Sequence, residues 1–197
     1  MIIFDLDGTL VDTKLLHQTS FQWALSQEDP SYILTEQLKA QLEGVPSLNK
    51  IEYLRKHLEW DLDSIRVYRN KQTHTLGHLD EISFCEGLPD RLRELSKYHT
   101  LCLASNARSG FVFRVLNRMQ LDVFTIVLTA SYIPITLAKP NPHMFIQCME
   151  MTQTAPDQTI VFEDSDVGIA AANASGARTQ IVKDSFDTYE KIGDLCR

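Results

Sequence analysis

The chain opens on an unbroken apolar run, Met1-Ile2-Ile3-Phe4, that stops at two carboxylates, Asp5 and Asp7, and a glycine, Gly8. So short a run reads as a strand buried on both faces, as in a parallel sheet. Runs of the same kind lie at 100–105, within 123–130, at 159–162 and over 177–182. Helical signals alternate with them. They cover 87–97, with Pro89 in the first turn; 107–119; 141–151, with Asn141 as cap and Pro142 at the first position; and an alanine-rich stretch over 166–175 stopped by Gly176. Between 14 and 78 the pattern is different. Apolar groups recur at three- and four-residue spacings from Lys14 to about Gln27 (Leu15, Leu16, Phe21, Trp23, Leu25), with Asp12 or Thr13 as cap, and further helical stretches cover 35–42, 47–59 and 62–76. Asp29-Pro30, Gly44-Val45-Pro46 and Asp61 separate them, and no strand-like alternation is present. Strand–helix alternation with short links predicts an α/β core, a doubly wound parallel sheet formed by 1–13 and 79–197, with 14–78 as an all-helical insert. The chain ends soon after the last strand, which is expected to leave one sheet edge short.

The strand ends carry the chemistry. Side chains alternate across a strand, so Asp5 and Asp7 are expected on the same side where the first strand leaves the sheet. Open α/β sheets place their sites there. Two neighbouring carboxylates repel, and one is driven to protonate unless a cation sits between them; hard oxygen ligands suit Mg²⁺. By itself the pair also fits a solvated strand end. Ser105-Asn106 ends the second strand and opens a helix, where a hydroxyl and free backbone N–H groups make an anion site or an ordinary N-cap. Lys139 precedes Pro140, which keeps it out of helical geometry; it is a solvated loop lysine or one placed to offset negative charge. Glu163-Asp164 follow the fourth strand as a solvated turn or a metal site.

At 197 residues the chain accommodates one α/β domain and a small insert. Its formal charge of −7 argues against a nucleic-acid polymer or an anionic membrane as partner. The 14–78 stretch is neutral, so the whole excess of acid lies in the remainder, and an anionic substrate there needs a metal and a placed lysine. Cys85, Cys102, Cys148 and Cys196 are scattered without metal-ligand spacing, as expected of free thiols in a reducing cytoplasm. The first strand begins at Met1, so no leader is expected, and no apolar run is long enough to span a bilayer. No obligatory protein partner is evident.

Asp5-Leu6-Asp7-Gly8-Thr9-Leu10 resembles the first motif of the haloacid dehalogenase-like (HAD) hydrolase superfamily. Ser105, Lys139 before Pro140, and Glu163-Asp164-Ser165-Asp166-Val167-Gly168 resemble its other three motifs, in order, so the resemblance covers the whole chain. It implies a Rossmann-like core and a phosphatase in which Asp5 is the nucleophile and Asp7 the general acid and base. It further implies that Ser105 binds the transferring phosphoryl group, with Asn106 beside it, and that Lys139 offsets negative charge. Mg²⁺ would be held by Asp5, the backbone carbonyl of Asp7, Asp164 and Glu163, the last directly or through water. The segment Ile133–Ala138 is more apolar than the pattern leads one to expect, and His143 stands where relatives often carry an acid.

The insert resembles the helical cap of the subfamily that includes beta-phosphoglucomutase and phosphoglycolate phosphatase. Residues 42–47 are similar to its substrate-specificity loop, so Gly44 and Ser47 are expected to bind substrate, as is His17 early in the first cap helix, unless it is a helix-surface histidine. Where the mutase has a phosphate-binding arginine this chain has Ser47, with Lys50 the nearest basic residue. That departure, and Thr9 in place of valine, lean away from a mutase. Arg69 and Lys71 could reach the site from the last cap helix, but a solvated helix face is the expectation for both. The resemblance therefore implies a Mg²⁺-dependent phosphatase of a small phosphorylated metabolite (a sugar phosphate, phosphoglycolate or a nucleoside monophosphate). A sugar-phosphate mutase is the second reading and a low-turnover phospho-ligand binding module the third.

Overall fold

A computed structural model of the chain describes residues 1–42, 45–193 and 195. Five parallel strands form one sheet: β1 (Ile2–Phe4), β2 (Leu101–Ser105), β3 (Ile126–Thr129), β4 (Ile160–Glu163) and β5 (Arg178–Ile181), in the order β3-β2-β1-β4-β5. The expected doubly wound architecture is borne out. β1 is buried throughout because it is the central strand. Its register sets Phe4 opposite Leu103 on β2 and Phe162 on β4. One residue beyond each of these stand Asp5, Ala104 and Glu163, so the carboxylates leave the sheet side by side.

The period-2 alternation of the strands sorts the core. Ile3, Cys102, Ala104, Ile126, Leu128 and Val161 pack on one face against Met144, Phe145, Cys148 and Met149 of α7 (His143–Thr152) and Ala171 and Ala172 of α8 (Asp166–Ala174). Phe4 and Phe162 turn the other way, with ring centroids 4.9 Å apart. The alanines of α8 permit it to lie close to the sheet, and Gly176, at φ +81°, follows its end.

The chain divides into two compact units, Met1–Asp12 with Ser83–Arg197, and Thr13–Ile82. The second unit consists of α1 (Lys14–Ser26), α2 (Glu36–Gln41), α3 (Ser47–His57), α4 (Ser64–Gly77) and a 3₁₀ turn over Leu79–Glu81. Its core joins Phe21, Ala24 and Leu25 of α1, Ile51 and Leu54 of α3, and Val67 of α4. Tyr32 stacks on Trp60 at 4.5 Å beside them. Two of the apolar groups that suggested α1 lie outside this core, for Leu15 is exposed and Trp23 partly so. Thr13 stands at the N-cap of α1 without a side-chain cap hydrogen bond. The Asp12 carboxylate serves elsewhere, accepting from the N–H of Ser185 at 3.2 Å and its hydroxyl at 2.9 Å.

Other boundaries also differ from expectation. α7 begins at His143, and Asn141 caps it from outside by accepting from the N–H of His143 at 3.0 Å. The apolar segment before Lys139 forms a 3₁₀ turn over Ile135–Leu137, with Ile135 exposed. The first unit further holds α5 (Leu88–Leu95), α6 (Ser109–Arg118) and a helix that the sequence pattern did not suggest, α9 (Ser185–Ile192). α9 presents Ser185, Thr188 and Ile192 inward and leaves Phe186 exposed, so the face that packs is largely polar. Polar ties hold it. Ser185 Oγ accepts from the Cys85 N–H at 2.9 Å, Thr188 donates to the Thr9 carbonyl at 2.7 Å, and the Arg91 guanidinium lies 3.6 Å from the Tyr189 ring centroid.

Ser185→Ala leaves the Cys85 N–H without its acceptor and Asp12 Oδ2 without the Ser185 hydroxyl, while the Ser185 N–H still donates to Asp12 Oδ1. The expected cost is about 2 kcal/mol, read as a lower urea midpoint at unchanged m-value. Phe186→Ala on the exposed side of the same helix should stay within about 0.5 kcal/mol of the parent.

Candidate active site

Four of the expected groups, Asp5, Lys139, Glu163 and Asp164, lie together. Asp5 continues the pairing of β1 by donating its N–H to the Phe162 carbonyl at 3.0 Å, and its side chain is buried. The chain then turns, with the Gly8 N–H on the Val11 carbonyl at 2.7 Å and the Val11 N–H on the Leu6 carbonyl at 3.1 Å. Asp7 thus pairs with Val11 in an isolated bridge beyond β1 rather than in the sheet, and strand alternation does not account for its nearness to Asp5. Gly8 has φ +84°, and a Cβ on it would stand 2.1 Å from Asp164 Oδ2. Glycine is required there for its backbone angles and for the close approach alike.

Lys139 lies in the loop between β3 and α7 with its side chain almost wholly buried. Its Nζ is 2.5 Å from Asp5 Oδ1 and 2.6 Å from Glu163 Oε1. Glu163 is fully buried at the end of β4. Its other oxygen, Oε2, accepts from the N–H groups of Asp164 at 3.1 Å and Ser165 at 3.2 Å and from the Ser165 hydroxyl at 3.1 Å. A Cβ at position 168 would fall 1.9 Å from Glu163 Oε1, so the glycine of the fourth motif makes room for this carboxylate. Asp164 is half-buried, and the Thr9 hydroxyl donates to its Oδ1 at 3.3 Å.

Ser105 is buried at the end of β2, and its Oγ accepts from the Ala107 N–H at 3.0 Å. Because α6 starts only at Ser109, whose N–H is taken by Ser131 Oγ at 3.0 Å, Ser105-Asn106 does not form the expected helix start. Both ends of the Asn106 amide are engaged. Oδ1 accepts from the Lys139 N–H at 3.0 Å and Nδ2 donates to the Lys139 carbonyl at 3.1 Å.

Negative charge exceeds positive here. Burial, followed by the charges of Glu163 and Asp7, holds the Asp5 carboxyl well above the usual range, against the lowering pull of Lys139. Asp164 is pushed up to about 6 by burial and by Glu163. Burial opposes the charge on Lys139, but Asp5 and Glu163 outweigh it and hold the ammonium above its ordinary value. Asp5, Glu163 and Asp164 offer carboxylate oxygens all within 4.8 Å of one another. Hard oxygen donors with an unneutralised surplus of charge fit a divalent cation of the Mg²⁺ kind.

The remaining expected residues belong to the helical unit. His17 Nδ1 on α1 lies 3.1 Å from Lys71 Nζ on α4. Lys71 is buried, which corrects its expected place on a solvated face; Arg69 is exposed. Ser47 is the first residue of α3, and Lys50 Nζ lies 5.8 Å from the Phe21 ring centroid. Gly44 lies outside the described residues. Sequence reasoning missed the hydroxyls of Thr9 and Ser165 as supports of Asp164 and Glu163. The only signal for either was its place inside a motif.

The haloacid dehalogenase-like hydrolase family model matches residues 2–182, and the chain belongs to that family. It is similar to the fructose-1-phosphate phosphatase YqaB of Escherichia coli, with 28% identity over 178 residues that cover 89% of this chain and 92% of the relative. The phosphorylated carbohydrates phosphatase of Thermotoga maritima is 28% identical over 181 residues, 89% of this chain and 81% of the relative. The beta-phosphoglucomutase of Bacillus subtilis is 24% identical over 187 residues, 89% and 79% of the two chains. Among solved structures, CbbY of Rhodobacter sphaeroides in complex with phosphate shares the fold with a TM-score of 0.79 at 20% identity, covering 90% of this chain and 83% of that one. The expected enzyme class, a HAD-like hydrolase of the phosphatase kind, is borne out.

Asp164 titrates at about 6, above its unfolded value, so the native state binds more protons than the unfolded chain and metal-free stability falls as pH rises from about 4 through about 6; the raised Asp5 carboxyl acts in the same direction. A cation that needs both carboxylates ionised reverses this. Added Mg²⁺ should raise Tm more at about pH 7.5 than at about pH 5. A Tm indifferent to Mg²⁺ at both values would remove the cation site.

Proposed function

We propose that the chain is a Mg²⁺-dependent phosphatase of small phosphorylated carbohydrates that works through an aspartyl-phosphate on Asp5. The observation that carries this reading is the Lys139 ammonium held between Asp5 and Glu163 in a cluster whose carboxylates outnumber their cations. Asp5, Asp164 and the backbone carbonyl of Asp7 would hold the ion, with Glu163 acting through the lysine and the loop it anchors. A divalent cation there supplies the positive charge that lets an anionic nucleophile approach a phosphoryl dianion.

Asp5 attacks phosphorus while the bond to the leaving oxygen breaks, and Asp7 gives that oxygen a proton. Asp7 then takes a proton from water. The resulting attack on phosphorus breaks the Asp5 acyl-phosphate bond, releases inorganic phosphate and restores both carboxyl groups. Lys139 opposes the protonation that burial favours at Asp5, and Ser105 donates to a phosphoryl oxygen. The resemblance gives the helical unit Thr13–Ile82 the role of a cap, in which His17 and Ser47 would contact substrate. The names of the relatives, which act on fructose 1-phosphate and on phosphorylated carbohydrates, support the substrate class. Free Cys85, Cys102 and Cys148 agree with a cytoplasmic setting, and no helix among the described residues is long and apolar enough to cross a membrane.

Phosphate release from a panel of sugar phosphates, phosphoglycolate and nucleoside monophosphates should require Mg²⁺ and be strongest on a sugar phosphate. Asp5→Asn should lower it by about 10³-fold or more. Activity that survives this substitution would reject the covalent route. The mutase reading draws support from the Bacillus relative. Here a sugar monophosphate given with its bisphosphate should yield free phosphate, and isomer formation without phosphate would reverse the assignment.

A further inference from the structure

Lys139 reaches its two carboxylates from a distance in the fold. It follows β3, the edge strand, whereas Asp5 follows β1 and Glu163 follows β4; β2 lies between β3 and β1. The lysine must cross the end of β2 and place its ammonium within 2.5 and 2.6 Å of oxygens on two other strands. A four-carbon side chain cannot enforce that alone, so its backbone must be fixed. The loop supplies no ladder or helical partner at residue 139, and Pro140 has no N–H to extend one. Yet Lys139 is buried, and buried peptide groups need partners.

Asn106, on the loop after β2, provides both. One planar amide accepts from the N–H of Lys139 and donates to its carbonyl, as a neighbouring strand would. Two bonds to one residue set both its position and its rotation, and with them the direction in which the side chain leaves. We infer that Asn106 is the positioning residue of Lys139, and that its own amide does not serve as a substrate contact. Among residues of that length only asparagine offers an acceptor and a donor in one plane: aspartate keeps the acceptor and sets a second oxygen against the carbonyl. Asn106 is itself exposed, so its replacement falls on the surface rather than in the core. The inference about catalysis rests on the proposed reaction; the inference about geometry does not.

Asn106→Ala tests it with two kinds of measurement. In the ¹⁵N-labelled protein, amide exchange at Lys139 should quicken at least about tenfold while Leu103 and Phe162 stay protected, and the side-chain ammonium resonance of Lys139 should shift or broaden away. With Mg²⁺ and p-nitrophenyl phosphate, kcat should fall about 10²-fold, with KM within about threefold of the parent. A raised KM at unchanged kcat would make Asn106 a substrate contact and overturn the inference, as would an unaltered Lys139 resonance in a folded variant. If Asn106→Ala does not fold, Asn106→Asp decides by the same readouts, for it keeps one bond and loses the other. If the parent cleaves no phosphomonoester, the proposed reaction fails and the resonance and exchange data alone decide the positioning role.

Discussion

A single ammonium group shared by two buried carboxylates governs the layout of the catalytic half. Bringing Asp5, Glu163 and Lys139 out of water is costly, and a buried ion pair recovers that cost only when its remaining hydrogen-bonding positions are filled. Filling them explains features that otherwise look unrelated. Glu163 places its second oxygen on two backbone N–H groups and a hydroxyl. Lys139 has its peptide gripped by Asn106. Asp5 keeps its N–H in the sheet. Losing one member of such a set typically costs about 3–5 kcal/mol, because the others are then left charged and unpaired.

The same set is nevertheless incomplete. One lysine faces Asp5 and Glu163, with Asp164 and Asp7 close enough to bear on their ionisation. Had the fold needed only internal neutrality, an apolar residue at 164 would have been the simpler solution. Under the proposed reading a cation takes up this surplus, which lies at the carboxyl edge of a parallel sheet, where such folds receive ligands.

Most of the core was legible because its residues obey simple periods. Ile2 to Phe4, Leu101 to Ala104 and Ile160 to Phe162 are short apolar runs, and short apolar runs bounded by turns and helices are parallel strands. Asp5, Glu163 and Asp164 were legible because each stands next to such a boundary, whereas Lys139, ten residues past β3, was singled out by Pro140 and by the motif resemblance. What escaped shares one trait: it depends on polar groups far apart in sequence. α9 is attached by Ser185 and Thr188, which give no hydrophobic signature. Asn106 and Thr9 act on Lys139 and Asp164, partners 33 and 155 positions away. Lys71 looked solvated because nothing in its own helix shows that His17 on α1 lies against it.

Asp12 and Ser83 lie side by side as an antiparallel bridge, with the Asp12 N–H 2.8 Å from the Ser83 carbonyl, so the polypeptide departs and comes back at one spot. To the catalytic half, the seventy residues from Thr13 to Ile82 amount to an elongated hairpin loop. Lengthening, trimming or exchanging a loop whose ends already touch asks little of the scaffold, since loop closure grows only logarithmically with length. The length and sequence of that unit can therefore change while the strand-end cluster of the first unit stays as it is.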